Sequence, residues 1–284
     1  MKAEISVVIL TKNEGRNLDK CLFYLDKQTL KPLEIIVVDA KSSDNTIDVA
    51  RAYGAKIIVE EKPGGFGYAR NLGIKHSKGQ IILFLDADIF LLNPETLENA
   101  FRKLKKYEAD VLLARVRFPN TVLGFYLSKC FGDKLGVNWG EYTPHNRFML
   151  VKKNALYDVG LYDESFRFGG EDLDLLYKFH LAGKKVVYDP EIEVFHNAGY
   201  TIDEWRKKAY RDGFTAAKFK RKYGIENGII TSKFYPFLAS LYAGWYGLRK
   251  LGIKGLKLFL YNYMLAKIRK KGYLDGLREK WDVK

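Results

Sequence analysis

Hydrophobic and polar residues alternate in blocks along the first third of the chain. Unbroken apolar runs, "EISVVIL", "LEIIVVDA", "KIIVEE" and "QIILFLDAD", are each followed by a segment with apolar residues at helical spacing: "NLDKCLFYLDKQ", "TIDVARAYG", "GYARNLGIKHSKG" and "PETLENAFRKLKKYEA". A short apolar run bounded by polar clusters predicts a buried strand. Strands followed at once by helices of this length predict right-handed crossovers, hence an open α/β fold whose mainly parallel sheet is flanked by helices. Ligands bind beyond the carboxyl ends of the strands in such sheets. Three polar clusters, "TKNEGRN", "DAKSSDNT" and "DADIF", fall at those ends and are expected side by side along one edge.

After "DVLLARVRF" the pattern loosens through a stretch containing Phe125, Tyr126, Trp139 and Tyr142, then resumes at "NRFMLVKKNALYDVG". Within the resumed part, "EDLDLLYKFHLAGKK" predicts a helix: acidic residues fill its first turn, apolar residues recur at helical spacing, and Gly183 stops it. Residues 200–284 read as helical, with aromatics and lysines interleaved. Their longest uncharged segment, "FYPFLASLYAGWYGL", has 15 residues, whereas crossing a bilayer takes about 20. "GLKLFLYNYMLAKIRKKGY" instead suits a helix lying in a membrane interface.

Composition is globular: 284 residues, 47% hydrophobic and 14% aromatic, enough for a substantial core. Charge is uneven, because residues 200–284 hold +13 of the net +14. The basic tail therefore has a task separate from that of the nearly balanced remainder. Cys21 and Cys130 are too far apart to suggest a zinc site or a disulfide framework. The opening segment does not read as a signal peptide, so a cytosolic location is expected.

Asp86 and Asp88, one residue apart where an apolar strand ends, need a positive partner. One reading supplies it as Mg²⁺ or Mn²⁺, held across the turn together with the oxygens of a diphosphate. In the other, Asp88 caps the following segment and Asp86 pairs with a lysine.

Five segments in order resemble the inverting nucleotide-sugar transferases of the GT-A fold, glycosyltransferase family 2: "SVVILTKNEGRNL", "EIIVVDAKSSDNT", "GYARNLGIKHSKGQIILFLDAD", "GGEDLDLLYKFHLAGKKVVYDP" and "VFHNAG". The resemblance covers roughly residues 4–197 and implies a catalytic domain over 1–199. Its nucleotide-sugar part would run to 118, its acceptor-side part over 119–199, and a basic helical extension over 200–284. It implies that Thr11, Glu14 and Asp39 line the nucleotide pocket of a UDP- or GDP-sugar donor, with Arg70 beside base and phosphates, Asn71 shaping that turn and Asp86 near the ribose or metal. Asp88 and His196 would hold Mn²⁺ or Mg²⁺, and Asp172 would be the general base. Bland alternatives stand beside these roles: an Asx-turn at Asp39, a helix cap at Glu14, a strand-edge histidine at His196, and a favourable helix start at Glu171 and Asp172. Glu171, Trp139 and His145 are candidate acceptor contacts, with Tyr142 and Asn146 near them. The family's second strand more often ends in two acidic residues and a glycine, where this chain has Asp39, Ala40 and Lys41.

The reaction so implied is inverting transfer of a sugar to an acceptor hydroxyl. A lipid-linked acceptor would explain the tail as a peripheral contact with the cytosolic membrane face. Rival readings are a haloacid-dehalogenase-type phosphatase with Asp86 as nucleophile, and a nucleic-acid-binding protein acting through the tail. "LTKNEGRN" lacks the glycine-rich turn of a nicotinamide dehydrogenase.

Overall fold

The computed structural model describes residues 4–62, 64–117, 147–167, 169–197, 201–224 and 257–278, together with Ser240, Leu241, Trp245 and Leu248. Its contacts divide the chain into two units, Met1–Arg167 with Glu171–Ala198, and Phe168–Gly170 with Gly199–Lys284.

The first unit opens with the expected alternation: β1 (Ile5–Thr11), α1 (Gly15–Asp26), β2 (Glu34–Asp39), α2 (Thr46–Ala52), β3 (Lys56–Val59), α3 (Phe66–His76) and β4 (Ile81–Asp86). It continues through β5 (Ile89–Phe90), α4 (Thr96–Lys106), β6 (Val111–Arg117), β7 (Phe148–Lys152), α5 (Lys153–Asp158), α6 (Glu171–Leu181) and β8 (Val186–His196). The strands form one sheet in the order β3-β2-β1-β4-β7-β6-β8-β5. β1 to β4 are mutually parallel, as are β6 and β8, while β7 and β5 run antiparallel to their neighbours. The simple strand–helix alternation thus ends at β4.

β1 is buried on both faces, so its alternate residues feed two cores. Ile5, Val7 and Ile9 join Leu18, Leu22 and Leu25 of α1 and Leu97, Phe101 and Leu104 of α4. Val8 joins Ala69 and Ile74 of α3 and Leu175, Leu176 and Phe179 of α6 on the opposite face. A parallel strand sandwiched this way has no polar face, which is why the sequence shows runs and not alternation.

The register places the three polar clusters next to one another. Thr11 pairs with Asp39 across β1 and β2, and Leu10 pairs with Asp86 across β1 and β4. Helix α6 stops as expected, with Gly183 in the left-handed conformation at φ 64°.

The second unit contains two helices of 22 residues, α7 (Ile202–Tyr223) and α8 (Lys257–Arg278). A capping box starts α7: the Glu204 amide donates to Thr201 Oγ1, and the Thr201 amide donates to Glu204 Oε2 at 2.6 Å. Gly224, at φ 69°, ends it. Among the described residues no helix is long and apolar enough to cross a membrane.

Candidate active site

The turns after β1 and β2 are tied together by side chains of the first two polar clusters. Thr11 Oγ1 donates to Asp39 Oδ2 at 2.8 Å. The Ser42 amide donates to Asp39 Oδ1 at 2.7 Å, and Ser42 Oγ to Oδ2 at 2.6 Å. Asp39 is fully buried, with both carboxylate oxygens engaged in holding the turn. Ser42 Oγ in turn accepts the Asn13 amide, and Asn13 Oδ1 accepts the Ser43 amide, both at 2.7 Å. These turns need left-handed residues at their tips, and they use Asn13 at φ 55° and Lys41 at φ 57°. Glu14 stands at the N-cap of α1 but makes no side-chain cap bond. Its carboxylate accepts from Asn17 Nδ2 at 2.7 Å. Partial burial, reinforced by the charges of Asp88, Asp44 and Asp86, raises its pKa despite that hydrogen bond.

At the end of β4 the positive partners of the aspartates are arginines. Arg147 Nη1 lies 3.1 Å from Asp86 Oδ2 and 3.7 Å from Asp88 Oδ1, and Arg70 Nη2 lies 3.8 Å from Asp86 Oδ1. Arg147 was not foreseen among the site residues. It precedes β7, whose antiparallel pairing of Phe148 with Leu85 carries it to the β4 end. Nothing short of that pairing, 61 residues apart, could have located it.

His196 ends β8 and pairs with Ile89 of β5, which brings its Nε2 to 2.7 Å from Asp88 Oδ2. The Asn197 amide also donates to the Asp88 carbonyl at 2.9 Å, so this strand pair fixes the backbones as well. Burial pushes the Asp88 carboxyl up, but the His196 hydrogen bond and the His196 and Arg147 charges outweigh it and hold the pKa below the usual range. Burial and the Arg147 cation keep the His196 pKa low. His196 Nε2 and Asp88 Oδ2 are thus held within hydrogen-bond distance of each other at two strand ends. Asp86 titrates above its usual range through burial and the neighbouring Asp88 charge, which Arg147 and Arg70 only partly offset.

Imidazole nitrogen and carboxylate oxygen, converging from two strand ends, are a donor set that suits Mn²⁺ and accepts Mg²⁺. Among the described residues no group of three His, Cys, Asp or Glu side chains forms a metal cluster. Asp88 and His196 are the two residues of this group that could hold a divalent ion.

The third group surrounds Arg70, which is buried in α3. Its Nη1 donates to Glu171 Oε1, and its guanidinium lies over the Tyr162 ring at 5.3 Å. Asn71 fixes the same segment, because its Nδ2 donates to the Tyr162 carbonyl and its Oδ1 accepts the Tyr162 amide, each at 3.0 Å. Burial, then the Asp172 charge, pushes the Glu171 carboxyl up to about 7 against the pull of Arg70. Glu171 Oε2 and the Tyr162 hydroxyl are both buried without a hydrogen-bond partner among the described residues. Asp172, half-buried in the first turn of α6, accepts its neighbour's Leu173 amide at Oδ1.

The expected residues therefore form three linked groups: Thr11 with Asp39; Asp88 with His196; and Asp86, Arg70 and Glu171, with Asp172 adjoining. Glu14 lies close enough to Asp88 and Asp86 for their charges to raise its pKa. Trp139, Tyr142, His145 and Asn146 lie outside the described residues.

The model of the family described as "Glycosyl transferase family 2" matches residues 6–166. The glycosyltransferase AglE of Haloferax volcanii is 38% identical over 223 residues, which are 74% of this chain and 71% of that protein. The glycosyltransferase GlyA of Streptococcus pneumoniae is 26% identical over 203 residues, 65% of this chain but only 29% of GlyA's length. Among solved structures, the mannosyltransferase PcManGT from Pyrobaculum calidifontis, in complex with GDP-Man and Mn²⁺, has a TM-score of 0.62 at 20% identity. That likeness covers 92% of this chain and 74% of PcManGT, and it is one of fold. The chain belongs to glycosyl transferase family 2 and is a glycosyltransferase built on the GT-A fold.

Proposed function

We propose that the protein moves a hexose from a UDP- or GDP-sugar to a hydroxyl of an acceptor glycan, with inversion at the anomeric carbon. The observation that carries this reading is the Arg70 bridge. One guanidinium touches Asp86, at the strand end that leads to Asp88, and Glu171, in the first turn of α6. Asp172 is thereby attached to the same charged network as the Asp88–His196 pair.

In this reading Asp172 accepts the proton of the acceptor hydroxyl. The acceptor oxygen bonds to the anomeric carbon from the face opposite the nucleotide, and the carbon–oxygen bond to the diphosphate breaks with its electron pair leaving on the nucleotide. A divalent ion held by Asp88 and His196 would supply Lewis-acid stabilisation of the diphosphate charge. Thr11, Glu14 and the turn pinned by Asp39 frame the nucleotide, and Asp39 acts by holding Ser42 and Asn13 in place. Arg70 and Asp86 sit between the donor and acceptor groups. The same reading places the enzyme at the cytosolic face of the membrane, acting on a polyprenyl- or other lipid-linked glycan. Support for that step is the charge of the tail, +13 over residues 200–284.

Family membership leaves no place for the phosphatase reading of Asp86. Its two oxygens already face Arg147 and Arg70.

A thermal-shift series with GDP-mannose, UDP-glucose and UDP-N-acetylglucosamine, each with and without Mn²⁺, tests the reading. Binding to the folded state at a hundredfold excess over Kd stabilises it by about 2.7 kcal/mol. A rise in Tm with one of these donors, larger with Mn²⁺ and lost in Asp88→Asn, is expected. Indifference to all three donors would remove the proposal's basis.

A further inference from the structure

We propose that the outward faces of the C-terminal helices form a docking surface for an anionic lipid bilayer, with leucine and tryptophan side chains entering the interface and lysines meeting the headgroups. The inference deepens the proposed function and rests on it for the purpose of docking, not for the surface itself.

The outer side of α8 mixes basic residues with exposed leucines. Its inner side buries Asn262, Leu265, Ala266 and Tyr273, and Ala266 and Tyr273 cluster with Ala217 of α7. The contact is made at backbone distance: a Cβ on Gly213 would sit 1.9 Å from the Arg269 carbonyl oxygen, and one on Gly272 would sit 2.1 Å from that of Tyr210. The outer side carries Leu260, Lys267, Lys271, Leu274 and Arg278, all exposed and repeating every three, four or seven residues. A helix facing water normally shows charged and polar residues outward. Here Leu260 is 68% exposed in its place in that stripe.

Further exposed apolar side chains lie earlier in the same unit. Leu241, Trp245 and Leu248 follow i, i+4, i+7 spacing and are 46%, 57% and 45% exposed. Three exposed large apolar side chains within eight residues of sequence are more than the scattered single hydrophobics of an ordinary surface. Arg249, Lys250, Lys254 and Lys257 follow directly in the sequence.

Charge selects the occupant. Residues 200–284 carry 20 basic and 7 acidic residues, so the partner is anionic. A nucleic acid would use the lysines and arginines but has no place for outward leucines, whereas a bilayer of anionic lipid uses both. With no bilayer-crossing helix among the described residues, these helices would lie on the surface.

Flotation of the full chain with vesicles tests this. One set contains one-third phosphatidylglycerol in phosphatidylcholine, the other phosphatidylcholine alone, at low salt and at about 0.5 M salt, where surface attraction is screened. The wild type is expected to float with the phosphatidylglycerol vesicles, to retain part of that binding at high salt, and to show a blue-shifted emission that falls in Trp245→Phe. The variant Leu241→Ser/Leu248→Ser/Leu260→Ser, altered only at exposed positions, is expected to partition about tenfold less or weaker still, with unchanged Tm. Wild-type protein that stays at the bottom of the gradient overturns the proposal, as does a triple variant that floats equally well. So does sedimentation equilibrium showing a dimer that the triple substitution dissociates, since the stripe would then join two copies of the chain. The GDP-mannose and Mn²⁺ response is read on the same samples. Its loss with flotation intact would count against the sugar-transfer reading and leave the lipid surface standing.

Discussion

Arg70 of α3 and Glu171 of α6 form a buried ion pair, and the same guanidinium reaches Asp86 at 3.8 Å and lies over the Tyr162 ring. One cation thus serves two carboxylates far apart in the sequence, one at the end of β4 and one at the start of α6. Arg70→Leu would leave both without it. Breaking a buried pair from one side costs about 3–5 kcal/mol where the remaining group stays charged, so the loss is read at mildly alkaline pH, above the Glu171 pKa of about 7. Urea unfolding of Arg70→Leu is expected to show a loss of that order. The double substitution with Glu171→Leu should lose less than the two single losses combined. Strict additivity would mean that the pair is not coupled.

Glu171 gives the fold a pH dependence with a definite sign. Burial and the Asp172 charge raise its pKa from 4.5 to about 7 in the folded chain. The folded protein therefore keeps a proton that the unfolded chain has already released. The resulting contribution is fully present below pH 4.5 and is lost as the pH rises through about 7. Glu171→Gln cannot ionise and keeps an oxygen to accept from Arg70. Relative to wild type it should gain up to about 3 kcal/mol between acidic and mildly alkaline pH, the equivalent of the shift. Denaturation at the two pH extremes measures it; a constant difference would assign the titration elsewhere.

The parts of this site legible in the sequence are those fixed by local pattern. Four apolar runs with following helices set the parallel strands, and parallel strands bring their ends to one edge, so Thr11, Asp39 and Asp86 could be placed together from spacing alone. Asp39 also announced its turn, because "SSDNT" follows it and Ser42 does bond both its oxygens. Long-range antiparallel pairing was not legible. β7 delivers Arg147 to Asp86 across 61 residues, and β8 delivers His196 to Asp88 across 108. His196 was named only through family resemblance, and Arg147 not at all, since no local periodicity encodes which strand a later one will join.

Asp172→Asn separates proton transfer from folding. Asp172 Oδ1 accepts the Leu173 amide at 2.9 Å, and an asparagine keeps that oxygen, so the start of α6 is undisturbed. Removal of a general base lowers turnover by roughly 10²-fold or more. Donor binding, read by thermal shift, should be unchanged, and kcat should fall without a matching change in donor KM. Near-normal turnover with a hydroxyl acceptor would take Asp172 out of the mechanism.

Lys41 holds conspicuous local strain at the sheet edge where β1 and β2 end. It sits at φ 57° at the tip of the β2 turn, where a left-handed conformation costs a residue with a Cβ about 1–2 kcal/mol. Asn13, at the facing tip, tolerates that conformation better, because its side chain bonds locally to the Ser43 amide. Glycine at position 41 would relieve the strain but add chain entropy to the unfolded state, about 0.5–1 kcal/mol against it. The net expectation for Lys41→Gly is a gain of roughly half to one kcal/mol in unfolding free energy. Strain retained at such a place points to use, and an exposed ammonium beside the proposed nucleotide turn is suited to a diphosphate. Lys41→Gln keeps the strained backbone and removes only the charge. Both variants should therefore weaken nucleotide-sugar binding about twofold to fivefold, through loss of one ion pair at the surface, while only Lys41→Gly stabilises the fold. If Lys41→Gln binds donor as well as the wild type, the ammonium has no part in donor binding and the strain must have another cause.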